Sequence, residues 1–276
     1  MKNTTKLRQL AMTTGLIASG AIAFFSAPAQ AFSFTTNYTS SLTGSDAAKG
    51  DILLNSVTLQ SGEIISAFTL VTSANILSND IYTGGNSGAA SADIGDLATT
   101  GLRQEELTNE GAKAVLNNLN LNNIIDTEDK GNFILDLKFE KAVDNIFLWE
   151  RGQNSKLDIQ ALDADGNVIG NKLNLEKSSN WDYAGFKIDT QEISSAQKVG
   201  SIGLSLADFG LTGGFIYSVR VSSEGKAYNG PDFKLLGSVA DRNNPTQDVP
   251  EPSALIGLGA MVAGTFATRR RKAQVA

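Results

Sequence analysis

From Gly131 onward apolar residues recur at every second position, and that period constrains the fold more than anything else in the chain. Phe133, Leu135, Leu137 and Phe139 alternate with Ile134, Asp136, Lys138 and Glu140. Successive side chains of a strand point to opposite faces, so this pattern reads as a strand with one dry face and one mostly wet face. Asn145–Glu150 (NIFLWE) is apolar on both faces, as a central strand would be. Leu157–Ala161, Val168–Leu175, Ala184–Ile188, Val199–Leu206, Phe215–Val221 and Phe233–Leu236 continue the series, with turn residues between them. In the segment from Phe215, the alternation sets Phe215, Tyr217, Val219 and Val221 on one side and Ser218 and Arg220 on the other. Short strands separated by turns predict a mainly all-β fold, an antiparallel β-sandwich of jelly-roll type.

The first hundred residues after the N-terminal segment hold fewer such signals. Phe32–Tyr38 and Asp51–Leu59 read as strands, with Ile64–Val71 as a third, and Asn75–Gly101 reads as a long surface excursion rich in Ser, Ala, Gly and Asp. Its Gly84-Gly85-Asn86-Ser87-Gly88 lacks the Gly-Lys-Ser/Thr ending of a phosphate-cradling loop. One amphipathic helix is expected near 108–119. Thr108 can cap it, and Ala112, Val115, Leu116 and Leu119 fall at i, i+3, i+4 and i+7. With too few strands before residue 130 to close a core alone, 32–240 reads as one domain, followed by a polar linker at 241–248.

Both ends of the chain read as addresses. Lys2, Lys6 and Arg8 precede an apolar stretch from Leu10 to Phe25, and Ala29-Gln30-Ala31 is a small-x-small cleavage site. Residues 1–31 therefore read as a secretory signal peptide for the secretion machinery and signal peptidase, with Phe32 the mature N-terminus. At the other end stand Pro250-Glu251-Pro252, an uncharged apolar run 254–268, and Arg269-Arg270-Arg271-Lys272. Two prolines around one glutamate remove two backbone donors and hold the chain extended. The 15-residue run is shorter than the roughly 20 residues of a comfortable membrane helix, a shortfall that snorkelling cations and local thinning can make up. The four cations keep their end cytoplasmic.

This order of parts over 249–272 resembles the bacterial PEP-CTERM sorting signal, whose tails are processed by the membrane-embedded transpeptidase exosortase. The resemblance implies that Pro250, Glu251 and Pro252 are the recognition tripeptide. It also implies that the single C-terminal membrane helix serves a precursor, whose product is released or attached at the cell surface. A plain membrane anchor is the other reading of the same residues. Within the body, Leu148–Gly152, Trp181–Ile188, Val199–Asp208 and Tyr228–Asp232 look similar to landmarks of exosortase-dependent surface proteins, a group defined by architecture and not by a reaction.

Charge and missing residue types exclude much of the remaining chemistry. Of 23 Lys and Arg and 29 Asp and Glu, seven cations and one anion lie in residues 1–31 and 249–276, which leaves the part between at net −12. Such a surface repels nucleic acid and anionic lipid. The chain holds no Cys and no His, so Ser-His-Asp and Cys-His nucleophiles and His- or Cys-ligated zinc are impossible. A glycoside hydrolase needs only two carboxylates, but no spacing here selects a pair, and no catalytic residue is assigned.

Two local patterns stay open. Asp163, Asp165 and Asn167, with Gly166 between, have the alternating spacing of oxygen ligands around calcium, yet Lys172 stands where the bidentate Glu of an EF-hand belongs. An Asp-Gly hairpin turn explains the same residues. Trp181 and Tyr183 are two apart and would share a strand face, either as a platform for sugar rings or as core packing. The expectation is an exported protein, structural or adhesive within the extracellular polysaccharide layer, needing no cofactor, with a carbohydrate-binding module as the alternative.

Overall fold

A computed structural model describes residues 31–81, 88–90 as backbone, 107–176, 180–189 and 195–238. These residues are mostly strand, and every pairing between strands is antiparallel. In chain order the strands are β1 Phe34–Ser40, β2 Ile52–Leu59, β3 Ile64–Ile65, β4 Val71–Asn79, β5 Gly88–Ala90, β6 Ile124–Asp126 and β7 Asn132–Val143. They continue with β8 Asn145–Arg151, β9 Leu157–Leu162, β10 Val168–Leu175, β11 Asp182–Ile188, β12 Gln197–Ser205, β13 Ile216–Glu224 and β14 Phe233–Ser238. The expected excursion from Asn75 thus begins inside β4, which pairs with β7 as far as Asn79 opposite Phe133.

Three sheets form three layers. The order β10-β9-β13-β7-β4 makes a five-stranded sheet, β11-β12-β8-β14-β6-β5 a six-stranded sheet, and β1-β2-β3 a small third sheet. Leu135 and Leu137 of β7, Ile159 of β9 and Val219 and Val221 of β13 meet Ile146 and Leu148 of β8, Ile202 of β12 and Phe233 and Leu235 of β14 in one apolar core. The other face of the six-stranded sheet builds a second core. There Phe147, Trp149, Val199 and Leu236 pack against Phe34, Ile52, Leu54 and Val57 of the small sheet. β8 is therefore dry on both sides, which is why its sequence does not alternate. Aromatic rings fill the second core: Phe147 meets Phe32, Phe34 and Phe68 edge-on at 5.9, 5.1 and 5.9 Å, the arrangement that ring quadrupoles favour.

The chain from β6 to β14 passes back and forth between the two large sheets, interrupted only by the hairpins β9–β10 and β11–β12. The side between β4 and β5–β6 is closed by helix α1, Asn109–Leu116, which touches β4, β5, β6 and β14. The Thr108 side chain accepts from the Gly111 N–H at 3.0 Å, an N-cap as the sequence suggests. Ala112, Val115 and Leu116 are buried, but the helix ends before Leu119, which is 37% exposed and outside the stripe. Its C-terminus is held by a buried lysine of β14: Lys234 Nζ donates to the Val115 carbonyl at 2.5 Å and to Asn118 Oδ1 at 3.1 Å. A cation at the end of the helix satisfies an orphan carbonyl and complements the dipole. The asparagines that follow tie α1 to β2, because Asn120 Oδ1 accepts from Ile52 N at 3.0 Å and from Asn122 N at 3.1 Å.

Among the described residues no helix is long and apolar enough to cross a membrane. The expected membrane helix at 254–268 lies outside them, as do the linker 241–248 and most of the signal peptide.

Candidate functional site

Pro250, Glu251, Pro252 and Arg269, Arg270, Arg271 and Lys272 lie outside the described residues, and so does Ala29; Ala31 is the first residue described. The other residues singled out in the sequence all have positions.

Asp163 to Asn167 join β9 to β10 as a tight turn. The Asp163 N–H donates to the Asn167 carbonyl at 3.0 Å, and Gly166 donates to the Asp163 carbonyl at 3.2 Å with φ +83°. The Asp163 carboxylate folds back onto the turn: Oδ1 accepts from the N–H groups of Asp165 and Asn167, each at 2.9 Å. The Asn167 backbone, foremost among these donors, holds the carboxyl below its ordinary pKa. Asp163 Oδ1 thus caps the hairpin turn that the Asp-Gly pattern suggests.

Trp181 and Tyr183 are not brought together. Trp181 is 4% exposed and belongs to the first core, with its indole N–H donating to the Ser155 carbonyl at 3.4 Å. Tyr183 is 50% exposed, with Lys198 Nζ 5.3 Å from its ring centroid. Trp181 precedes β11, where strand alternation does not yet hold, so the two rings share no solvent face and form no joint platform.

The end of β8 holds a cluster that sequence reading did not assemble. Arg151 is buried, with Nη2 2.6 Å from Asp232 Oδ2 and 3.1 Å from Asp126 Oδ2, and Nε 3.1 Å from Asp232 Oδ2. Asp232 Oδ1 also accepts from the Thr127 N–H at 3.1 Å. One guanidinium thereby joins β8, β6 and the segment entering β14. Glu150, fully buried beside it, turns its Oε2 to the Gln153 N–H at 2.6 Å. Burial first, and the neighbouring Asp232 second, push its carboxyl well above the ordinary range, while Ser155, Gln153 and Arg151 pull the other way. These carboxylates serve the ion pair and the turn. Nothing in Leu-Trp-Glu-Arg announces this, because Asp126 and Asp232 lie 25 and 81 residues from Arg151.

A second arrangement lies on the outward face of the five-stranded sheet. The pairing registers put Asn75 of β4, Asp136 of β7, Arg220 of β13 and Gln160 of β9 in one row across four strands. Arg220 grips Asp136 with two bonds, Nε to Oδ1 at 2.7 Å and Nη2 to Oδ2 at 2.8 Å, and that carboxylate raises the guanidinium pKa. Asn75, Gln160, Ser218 and Ser222 make no side-chain hydrogen bond among the described residues. On the same strand, three residues before Arg220, is Tyr217, which the alternating pattern places inward. The pairing of β13 with β7 is irregular between Ile216 and Ser218. Ile216 and Val219 are both core residues, so the two residues between them face away from the core, and Tyr217 is 39% exposed. A break in register re-aims side chains in this way, and its position cannot be read from the alternation of β13 alone.

Compared with known proteins, the chain matches no family model, and no curated protein is similar to it in sequence.

Proposed function

We propose that this chain is an exported cell-surface or extracellular-matrix protein. On this reading it is sorted by an exosortase through residues 249–272, and its β-domain has a structural or adhesive, non-catalytic role in the exopolysaccharide layer. The observation that carries the reading is the tail itself, in which Pro250-Glu251-Pro252, an uncharged 15-residue run and four consecutive cations follow one another. The signal-peptide pattern at 1–31 agrees with it because it directs export, and the acidic body agrees because it does not suit a nucleic-acid or anionic-lipid partner. The jelly-roll reading of the domain is supported by the strand order. β6-β14-β8-β12 faces β7-β13-β9-β10, with the chain alternating between the layers. A carbohydrate-binding module is the second reading, favoured by the row of solvent-facing polar side chains around the Asp136–Arg220 pair on the outward sheet face.

An anchor and a sorting signal make different demands on the tail. An anchor needs hydrophobic length and flanking cations, so Glu251→Ala leaves it intact. A signal read by a processing enzyme depends on the tripeptide, so Glu251→Ala, or Ala at Pro250 and Pro252, strands the precursor in the membrane with its basic end attached. The comparison is an immunoblot for a C-terminal tag in membrane and extracellular fractions. If wild type keeps the tag as fully as the variants, no sorting enzyme acts and the anchor reading wins.

A further inference from the structure

We propose that the outward face of the five-stranded sheet binds a neutral polysaccharide, with Tyr217 under a sugar ring and the row Asn75–Asp136–Arg220–Gln160 on its hydroxyls. This inference rests on the reading of the chain as a protein working among exopolysaccharide, and names the face and the class of glycan.

The geometry selects this face. Apart from edge strand β11, which leaves Tyr183 and Lys187 exposed, both faces of the six-stranded sheet are covered, one by each neighbouring layer. That leaves two outward sheet faces among the described residues, and they differ in what their polar groups do. On the small sheet the groups bond one another: Asn37 Nδ2 donates to Ser56 Oγ at 3.0 Å and Thr58 Oγ1 at 2.9 Å, and Asn55 Nδ2 to Thr39 Oγ1 at 2.9 Å. On the five-stranded sheet the amides of Asn75 and Gln160 and the hydroxyl of Ser218 have no such partners. Asp136 takes up two of the five N–H groups of Arg220 and holds the guanidinium in one plane, so the others are presented without a further loss of rotamer freedom.

The row's length and charge then define the ligand. Four neighbouring strands set its ends about 14 Å apart, the span of a short run of sugar rings rather than of a single small molecule. Planar amides, a guanidinium and a carboxylate match hydroxyl groups, which both donate and accept, and an exposed phenol ring offers an apolar face to the C–H side of a pyranose. Charges on this face are paired with one another, with one carboxylate in excess among the pairs. Asp136 is bound to Arg220, and Lys172 to Asp158 and Glu224 at 2.6 and 3.3 Å. The body that carries the face is net −12, so an anionic polymer meets repulsion that a neutral one does not.

The test is affinity electrophoresis of the secreted form, or of the full chain if export fails, in gels containing dextran, hydroxyethylcellulose, xyloglucan, galactomannan or alginate. Retardation is expected by at least one neutral polymer and not by alginate. Tyr217→Ala and Arg220→Met each weaken it about tenfold, while Asn55→Ala and Thr58→Ala on the small sheet leave it unchanged. Thermal melts confirm that each variant is folded, and Arg220→Lys separates charge from the two-bonded geometry by losing binding while keeping charge. Retardation by none of the neutral polymers, retardation that survives both Tyr217→Ala and Arg220→Met, or a stronger shift in alginate overturns the proposal. The tag immunoblot is independent: a correctly processed protein that no neutral glycan retards loses this face and keeps its address.

Discussion

The five-stranded and six-stranded sheets are built from the same kind of antiparallel ladder, yet they handle charge in opposite ways. The five-stranded sheet is wet on one side, and its ionic pair Asp136–Arg220 stays part-exposed, 21% and 29% by side chain. The six-stranded sheet lies between two apolar layers, and the charges at the end of its β8 have no water to turn to. Arg151 must be matched by Asp126 and Asp232 within the protein, and Glu150 holds its proton more tightly than a free carboxyl does. An exposed pair is worth little because solvent already stabilises each ion. A buried one costs much to break, because removing either partner leaves the other uncompensated.

The largest expected effect breaks that contrast at its buried end. Arg151→Met leaves Asp126 and Asp232 beneath the surface without their guanidinium. About 3–5 kcal/mol of stability should be lost, measured by urea unfolding. A loss no greater than that of a surface substitution would mean water reaches the cluster.

The next sharpens it through pH. Glu150 has its folded-state pKa raised above the ordinary 4.5, so the fold favours the protonated form. Its contribution is fully present below that ordinary value and is lost as pH rises through the raised one. Glu150→Gln, which keeps an oxygen for the Gln153 N–H, removes the loss. Its melting temperature should exceed that of wild type by a margin that grows as pH rises through the raised value. The difference should vanish near pH 4. A constant offset across the range would show a packing effect instead.

The smallest is Arg220→Met on the wet face, where about 0–1 kcal/mol is expected in the same unfolding measurement. That small cost is what makes the residue a clean probe of glycan binding. A loss as large as that of Arg151→Met would make the pair structural.

How legible each sheet is follows from the same difference. Where one face is wet the alternation is legible, as in β7, whose Phe133, Leu135, Leu137 and Phe139 point inward, and it fails where register slips, as at Tyr217 of β13. A dry second face erases the alternation and leaves only a run such as Asn145–Glu150, which announces a central strand without saying what covers it. The covering layer is β1–β3, a segment that looked too poor in strands to fold alone and that packs instead on Phe147 and Trp149.

Local sequence was enough for the strand period, the Thr108 cap and the absence of His and Cys chemistry, and it narrowed Asp163–Asn167 to a turn or a calcium loop. Each of these depends on residues within a few positions of one another or on composition alone. Packing, and not the local pattern, made Trp181 core and Tyr217 surface. The first lies just ahead of its strand, and the second follows a slip between β13 and β7. Only the tertiary structure brought Asp126 and Asp232 to Arg151 and Asn118 to Lys234, across up to 116 residues of chain. Partners that far apart leave no periodic trace, because what joins them is the register of strands and the burial of charge, and both exist only once the layers have closed.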